Sequence, residues 1–520
     1  MFFRTYRSTV LVSLIIVLLA TARTDCYSAD LPKPTVKPLS VAVDLNVGES
    51  QEVTLSDGKK ATVKLVGLDE TRDTVCDAVR EARVKVEVNG QAVTLVSATY
   101  HLPVTVGDVQ IDCTITRGYS KNSNSDPWGL DKDARLRLWP AGSPWIQPGT
   151  FAYPAKQRWF ASDTQMSNDP VYVDGGERPG PRKVYYHWGL DIGGAEGMVE
   201  VVSATDGLVV SAGTEALPEY GEGSDTPVRA RYDVIYILDN RGWFYRYSHL
   251  YSFDPAVKAG VRVKMGQKIG TLGKEGGSGG WSHLHFDITA RQPSGKWGTE
   301  EGYAFLWGAY LREYSPKIIA VARPHHLAWT GEKVRLDGSR SWGASGKISR
   351  YEWTFGDGTK ASGPVVERVY DKPGSYREIL KVTDDKGNFA YDFAAVQVLD
   401  KTNPKQLPPT IHAVYYPTLG IKAGDPVTFK VRTFRTTYGN ETWDFGDGTP
   451  PVSVKSDGNV KPLAKDGFAV TTHSFAKPGD YLVSVERSNE LGMKAIGRLH
   501  VNVEPKQSAA KTRKQPQKKK

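Results

Sequence analysis

The chain has 520 residues, of which 39% are hydrophobic and 10% aromatic; that length predicts about three to five domains rather than one core, and that composition excludes wholesale disorder. The formal charge of +9 sits at the two ends: Arg4 and Arg7, and seven Lys or Arg in residues 505–520, have no acidic partners, while residues 23–504 balance to zero. A neutral body excludes a specific nucleic-acid-binding domain, which would carry its basic patch on a folded surface.

Residues 1–29 read as a signal peptide. Arg4 and Arg7 make a positive start, and the apolar run Val10–Ala22 is shorter than the ~20 residues that a membrane-spanning helix needs. Ala20-Thr21-Ala22 offers small residues for cleavage, and a later cut near Ser28 is the other option. No second apolar run follows, so the mature chain is expected to have no transmembrane span and to be secreted, periplasmic or held in the cell envelope. An oxidising compartment would permit a disulfide between Cys76 and Cys113. No cysteine pair has the CxxC spacing of a zinc site.

After the Pro-rich linker at 31–38, residues 40–118 predict a β-rich N-terminal module. Asp57-Gly58 and Asn89-Gly90 each separate alternating apolar runs, the strongest short hairpin signal. Residues 119–150 read as a connector. Asp126, Asp131 and Asp133 cluster there without the spacing or closing Glu of a calcium loop.

Residues 145–315 again alternate strand and turn signals, as in Val234–Leu238 and Trp243–Tyr247 around Asp239-Asn-Arg-Gly242. Three pieces of this stretch carry chemistry: His187-Trp-Gly-Leu-Asp191, Tyr247-Ser-His249-Leu250 and His283-Leu-His285-Phe286. Gly189, Gly193 and Gly194 argue against a helix, so His187 and Asp191 are expected to meet at a strand-and-turn junction. His283 and His285 alternate along a strand, which puts both on one face and Leu284 and Phe286 in the core. One of that pair can bind a metal while the other stands beside the reacting water. His249 is expected to end its strand on the face of Tyr245 and Tyr247. Residues 214–231 form a polar insertion that could reshape a substrate groove.

Beyond residue 316 the sequence repeats. Trp353-Thr-Phe-Gly-Asp-Gly-Thr359 returns as Trp443-Asp-Phe-Gly-Asp-Gly-Thr449, and Lys372-Pro-Gly-Ser-Tyr376 as Lys477-Pro-Gly-Asp-Tyr481. Two tandem β-sandwiches at 316–399 and 409–504 are predicted. Both motifs resemble PKD repeat domains, which implies immunoglobulin-like modules that act as spacers or adhesive units. His325 and His326 are read as solvated loop residues, and His101, His412, His473 and His500 as isolated residues of β-type segments. Residues 505–520 predict a disordered basic tail, with anionic polymers as its partner class.

The order and glycine context of the histidine motifs resemble the lysostaphin-type (LytM-like) zinc endopeptidases. Ala204-Thr-Asp-Gly-Leu-Val209, Val263-Lys-Met-Gly-Gln-Lys-Ile-Gly270 and Ser282 before His283 extend the match. The resemblance implies a small antiparallel β domain with Zn2+ held by His187, Asp191 and His285, and His249 and His283 as a catalytic pair that does not bind the metal. Asp287 stands where the family often has Glu. The expected protein is mostly β: a peptidase domain, a β-rich module and two sandwiches. Its expected activity is hydrolysis of peptide cross-links, of peptidoglycan or another peptide. The alternative is a non-catalytic wall-binding, regulatory or adhesive protein on a peptidase fold.

Overall fold

The structure is a computed structural model that describes residues 33–170, 178–437, 439–456 and 467–506. The signal segment, Cys26 and nearly all of the basic tail lie outside the described residues. Strands make up 48% of the described residues and helices 5%, as the richness in turn-forming residues predicts.

The N-terminal module consists of two four-stranded antiparallel sheets. One contains the hairpins around Asp57-Gly58 and Asn89-Gly90, formed by strands Ser50–Thr54, Lys60–Arg72, Val79–Val88 and Gln91–Val96. The other runs Val41–Leu45, Ala134–Pro140, Val109–Thr116, Val104–Val106. The alternating residues Val43, Val63, Val86, Ile111 and Leu136 close the core between the two sheets. Strand Ala134–Pro140 therefore belongs to this module, where the sequence suggested a connector; Trp and Pro around it masked its alternation. Cys76 and Cys113 are both buried and unpaired, each packed in a different apolar cluster.

A buried guanidinium ties the module to the loop that leads into helix Tyr303–Tyr314. Arg137 pairs with Asp112 (2.6 Å) and Glu300 (2.7 Å) and donates to the Glu301 carbonyl (2.7 Å). At 1% exposure, a charge so placed is tolerated only when paired and fully hydrogen-bonded.

A nine-stranded antiparallel sheet dominates the next unit. Its central path runs Gly207–Ala212, Ile235–Asp239, Phe244–Ser248, His283–Arg291, Leu190–Gly193, Thr164–Gln165. A three-stranded sheet (Glu200–Val202, Lys268–Leu272, Leu250–Phe253) packs against it across Leu190, Tyr247, Leu272, Leu284 and Phe286. The helix Tyr303–Tyr314 adds Phe305, Leu306 and Trp307 to the same core.

In the repeats, Trp353 and Trp443 are fully buried. The Asp-Gly-Thr strings are turns in which Thr359 N–H donates to Asp357 (3.0 Å) and Thr449 N–H to Asp447 (3.1 Å). The repeated motif thus builds the core and the turns of each sandwich. The two repeats are also not strung loosely: Gly374–Asp384 pairs in parallel with Lys494–Val503, Gly374 opposite Lys494, joining them in one nine-stranded sheet. A Cβ on Gly374 would meet the Lys494 carbonyl at 2.9 Å, so glycine permits the junction. Among the described residues, no helix is long and apolar enough to cross a membrane.

Candidate metal centre

Strand Leu190–Gly193 lies between Thr164–Gln165 and His283–Arg291, and the register sets Gln165, Asp191 and His285 side by side. Directly opposite residues share a face, so Asp191 and His285 project together. His187 joins them from the turn before the strand. Its backbone is fixed on both sides, donating to Asp169 O (2.8 Å) and accepting from Asn168 N–H (2.9 Å). The chain then turns at Gly189, whose φ of +75° and surroundings both demand glycine: a Cβ there would lie 2.6 Å from Asp287 Cβ and 2.7 Å from Phe286 O.

Three buried atoms converge at this point. His187 Nε2 is 2.9 Å from Asp191 Oδ1, His285 Nδ1 is 2.8 Å from the same oxygen, and the two nitrogens are 3.0 Å apart. His285 Nε2 lies 3.1 Å from Asp287 Oδ2, so both ring nitrogens face carboxylate oxygens; a neutral ring that gives Nε2–H to Asp287 leaves Nδ1 free for a cation. Burial would raise the Asp191 pKa, yet the charges of His187 and His283 and hydrogen bonds from His187 and His285 hold it well below the usual range. Burial lowers that of His285, but its bonds to Asp191 and Asp287 raise it overall. Both shifts favour positive charge at the convergence point. His187, Asp191 and His285 form the group that could hold a metal ion, and two nitrogens with one carboxylate suit zinc with an open fourth position. The donor set fits.

Asp287 takes its place as the outer partner that fixes the His285 tautomer, the carboxylate–histidine arrangement that orients metal-binding imidazoles. It is itself paired with Arg246 at 3.5 Å. Its position was legible as the third member of the 283–285–287 alternation.

His283 and His249 flank the triad, their ring centroids 4.7 Å apart. His283 Nδ1–H donates to Trp281 O (3.0 Å) and His249 Nδ1–H to Glu275 O (2.6 Å). With Nδ1 protonated in each, both Nε2 atoms carry lone pairs, and His283 Nε2 stands 3.4 Å from Asp191 Oδ2. Burial pushes the His283 pKa well below the usual value and lowers that of His249, despite the nearby Asp233. The sequence predicts that His249 ends its strand on the face of Tyr245 and Tyr247; the strand ends one residue earlier, at Ser248. His249 stands after strand Phe244–Ser248 with φ +66°, an uncommon left-handed conformation for a non-glycine residue. Asp233 Oδ2 holds that geometry by accepting the His249 backbone N–H (3.0 Å). Nothing in the local sequence announced Asp233.

The site opens into a cavity of about 160 Å³ to which Gln165, Tyr185, Ser278 and Trp281 also contribute. Sequence reasoning missed all four. Most of the 214–231 insertion packs elsewhere, Tyr220 and Val228 on Val210, Tyr236 and Phe244, while its end comes near the site, where Arg231 pairs with Asp233. His325 and His326 are partly buried and line a neighbouring cavity with Asp163 and Arg377, so they are not solvated loop residues. His412 is no isolated strand residue either: it contacts Ser282 and Trp281.

Residues 185–296 match the model of Peptidase family M23, and residues 316–398 and 412–497 match PKD domain models. Among curated proteins, the chain is 35% identical to Collagenase ColA of Clostridium perfringens over 69 residues, 13% of this chain and 6% of that protein. It is 29% identical to Collagenase ColQ1 of Bacillus cereus over 173 residues, 31% of this chain and 18% of that protein. The chain thus spans less than a fifth of the length of either relative. Among solved structures, Helicobacter pylori Csd3 is 21% identical over 43% of this chain and 49% of its own, with a TM-score of 0.21, too distant to carry the arrangement of the site across. The M23 match supports a peptidase of a generally zinc-dependent family. The chain carries a Peptidase family M23 domain at residues 185–296, followed by two PKD domains.

Proposed function

We propose that this protein is an exported, zinc-dependent endopeptidase that hydrolyses peptide cross-links of peptidoglycan, with His187, Asp191 and His285 as metal ligands. The observation that carries the reading is the tautomer pattern. An Nε2–H given to Asp287 frees His285 Nδ1 for the metal beside Asp191 and His187, while carbonyls direct the Nε2 lone pairs of His249 and His283 into the adjoining cavity.

When bound, zinc supplies Lewis acidity to the scissile carbonyl and acidifies water. The chain's own part is proton transfer. A neutral imidazole accepts the proton lost from water at Nε2 and delivers it to the amine nitrogen as the C–N bond breaks; the released amine takes up the second proton from the new carboxylic acid, leaving a carboxylate and an ammonium. Whichever ring holds the water's proton at Nε2 can donate it to the oxyanion until the leaving amine takes it. Low proton affinity keeps both rings in the accepting form at neutral pH. A non-catalytic role would not require these five residues to be kept together in one buried arrangement.

The test is mass spectrometry of fragments released from purified peptidoglycan by the full chain, beside elemental analysis. One zinc per chain and new amine and carboxyl ends are expected. His187→Ala, Asp191→Ala and His285→Ala should each lose the metal, whereas His249→Ala and His283→Ala should keep it and lose about 10²–10⁴-fold in rate. Because the two curated relatives are named collagenases, collagen is included in the same assay; release from collagen alone would replace the substrate assignment. Full zinc in all three ligand variants would refute the metal assignment.

A further inference from the structure

The second PKD domain is packed into the site. Trp281 lies flat on His283, with ring centroids 3.9 Å apart and planes 18° apart, and its carbonyl takes the His283 Nδ1–H. Two strands of the second PKD domain, Thr410–Tyr416 and Val427–Phe434, hold the backbone on both sides of that tryptophan. His412 donates Nε2–H to Ser282 O (3.1 Å), and Arg432 donates to Gly280 O (3.1 Å). His412 and Arg432 are directly opposite in the register, so they project from one sheet face as a pair. Both are buried, His412 at 3% and Arg432 at 0% exposure. The His412 ring also meets Trp281 edge-on at 5.2 Å, and Lys430 donates to Glu196 O (2.9 Å) nearby.

Trp281 needs such a hold. It is a wall between the metal cavity and a second cavity of about 90 Å³, which Asp163, His325, Arg377 and His412 help to line. Four glycines, at 276, 277, 279 and 280, precede it and leave the segment little intrinsic stiffness.

We propose that the second PKD domain is part of the catalytic centre: His412 and Arg432 are positioning residues that clamp the carbonyls on either side of Trp281 and thereby fix the orientation and tautomer of His283. This rests on the reading of His283 as a proton acceptor. The clamp acts through Trp281 and touches neither metal nor substrate. Its loss should leave the ligand set intact and lower the rate of the chemical step.

The experiment uses the full chain loaded with zinc, as wild type, His412→Ala and His412→Gln, the last retaining a donor of similar reach. Turnover of purified peptidoglycan is measured together with nitrogen-15 spectra of labelled histidines, the His283 signal being assigned from a His283→Ala sample. His412→Ala is expected to keep one zinc per chain, lower kcat about tenfold, change KM less than twofold, and convert a single Nδ1–H tautomer at His283 into an averaged signal. His412→Gln should recover most of both. Unchanged kcat and an unchanged His283 signal in His412→Ala would overturn the proposal, as would equal impairment of the two variants. Should zinc-loaded wild type leave peptidoglycan intact, the functional reading falls, and the His283 signal by itself still decides whether the clamp exists.

Discussion

Replacing Asp287 by Asn tests the electrostatics of the metal centre without touching a ligand. Asp287 Oδ2 accepts His285 Nε2–H at 3.1 Å and lies 3.5 Å from Arg246 Nη1. The carboxylate is 3% exposed, so water cannot replace its charge. Burial works against its ionisation, yet the bond from His285 and the charge of Arg246 keep its pKa below the usual value. Asn preserves the shape and one accepting oxygen, and removes the charge. A hydrogen bond to a charged group contributes about 1.5–3 kcal/mol, against about 0.5–1.5 for a neutral one. Outer partners of metal-binding histidines typically change affinity by about 10–100-fold, or about 1.4–2.8 kcal/mol. Asp287→Asn should therefore weaken zinc by one to two powers of ten, measured by competition with a chromophoric chelator at pH 7.5. Stoichiometry at saturating zinc should stay at one. Asp287→Ala should weaken it further, because the His285 N–H and the Arg246 guanidinium would then be buried without the carboxylate. An affinity unchanged within twofold in Asp287→Asn would refute the argument that this carboxylate sets the His285 tautomer and basicity.

Gly189→Ala combines a left-handed backbone with a 2.6 Å approach to Asp287 Cβ; a loss of at least about 1–2 kcal/mol from the backbone alone and weakened zinc binding are expected, read by urea unfolding and chelator competition. His500 accepts from Arg158 at Nδ1 (2.8 Å) and donates from Nε2 to Asp480 (2.7 Å), so it is neutral, and burial and then Arg158 push its pKa down to about 4. Between pH 6.5 and about 4 the unfolded chain takes up a proton that the folded chain refuses, so stability present above pH 6.5 is lost as pH falls: about 2 kcal/mol from this group by pH 5, and a shallower pH slope of unfolding in His500→Gln. Deleting residues 505–520 should reduce binding to anionic wall polymer at low salt and flatten its salt dependence, leaving turnover of a small soluble peptide unchanged; pull-down across a salt series compares the two chains.

Local periodicity and spacing made the mostly β architecture and the repeated PKD motif legible, and the resemblance carried by the motif order singled out the four histidines and Asp191. Alternation along 283–286 fixes which side chains share a face, because a strand has a period of two. The glycines around His187 and Asp191 report turns, because a tight turn restricts φ locally. Residues that act through distant partners left no such mark. Asp233 supports His249 across 16 positions, and its importance comes from the left-handed backbone that it stabilises. The resemblance passed over Asp287 as a departure from the family pattern, although its burial against Arg246 ties it to the metal centre. His412 and Arg432 read as ordinary residues of a spacer sandwich; only the packing of the second PKD domain brings them, 130 and 152 positions away, onto the carbonyls around Trp281. Sequence determines the strands through short-range geometry, and the proposed ligand set through the resemblance that its histidine motifs carry. The surroundings that set proton affinities and hold His249 and His283 arise from burial within the peptidase domain and against the second PKD domain, which tertiary structure alone decides.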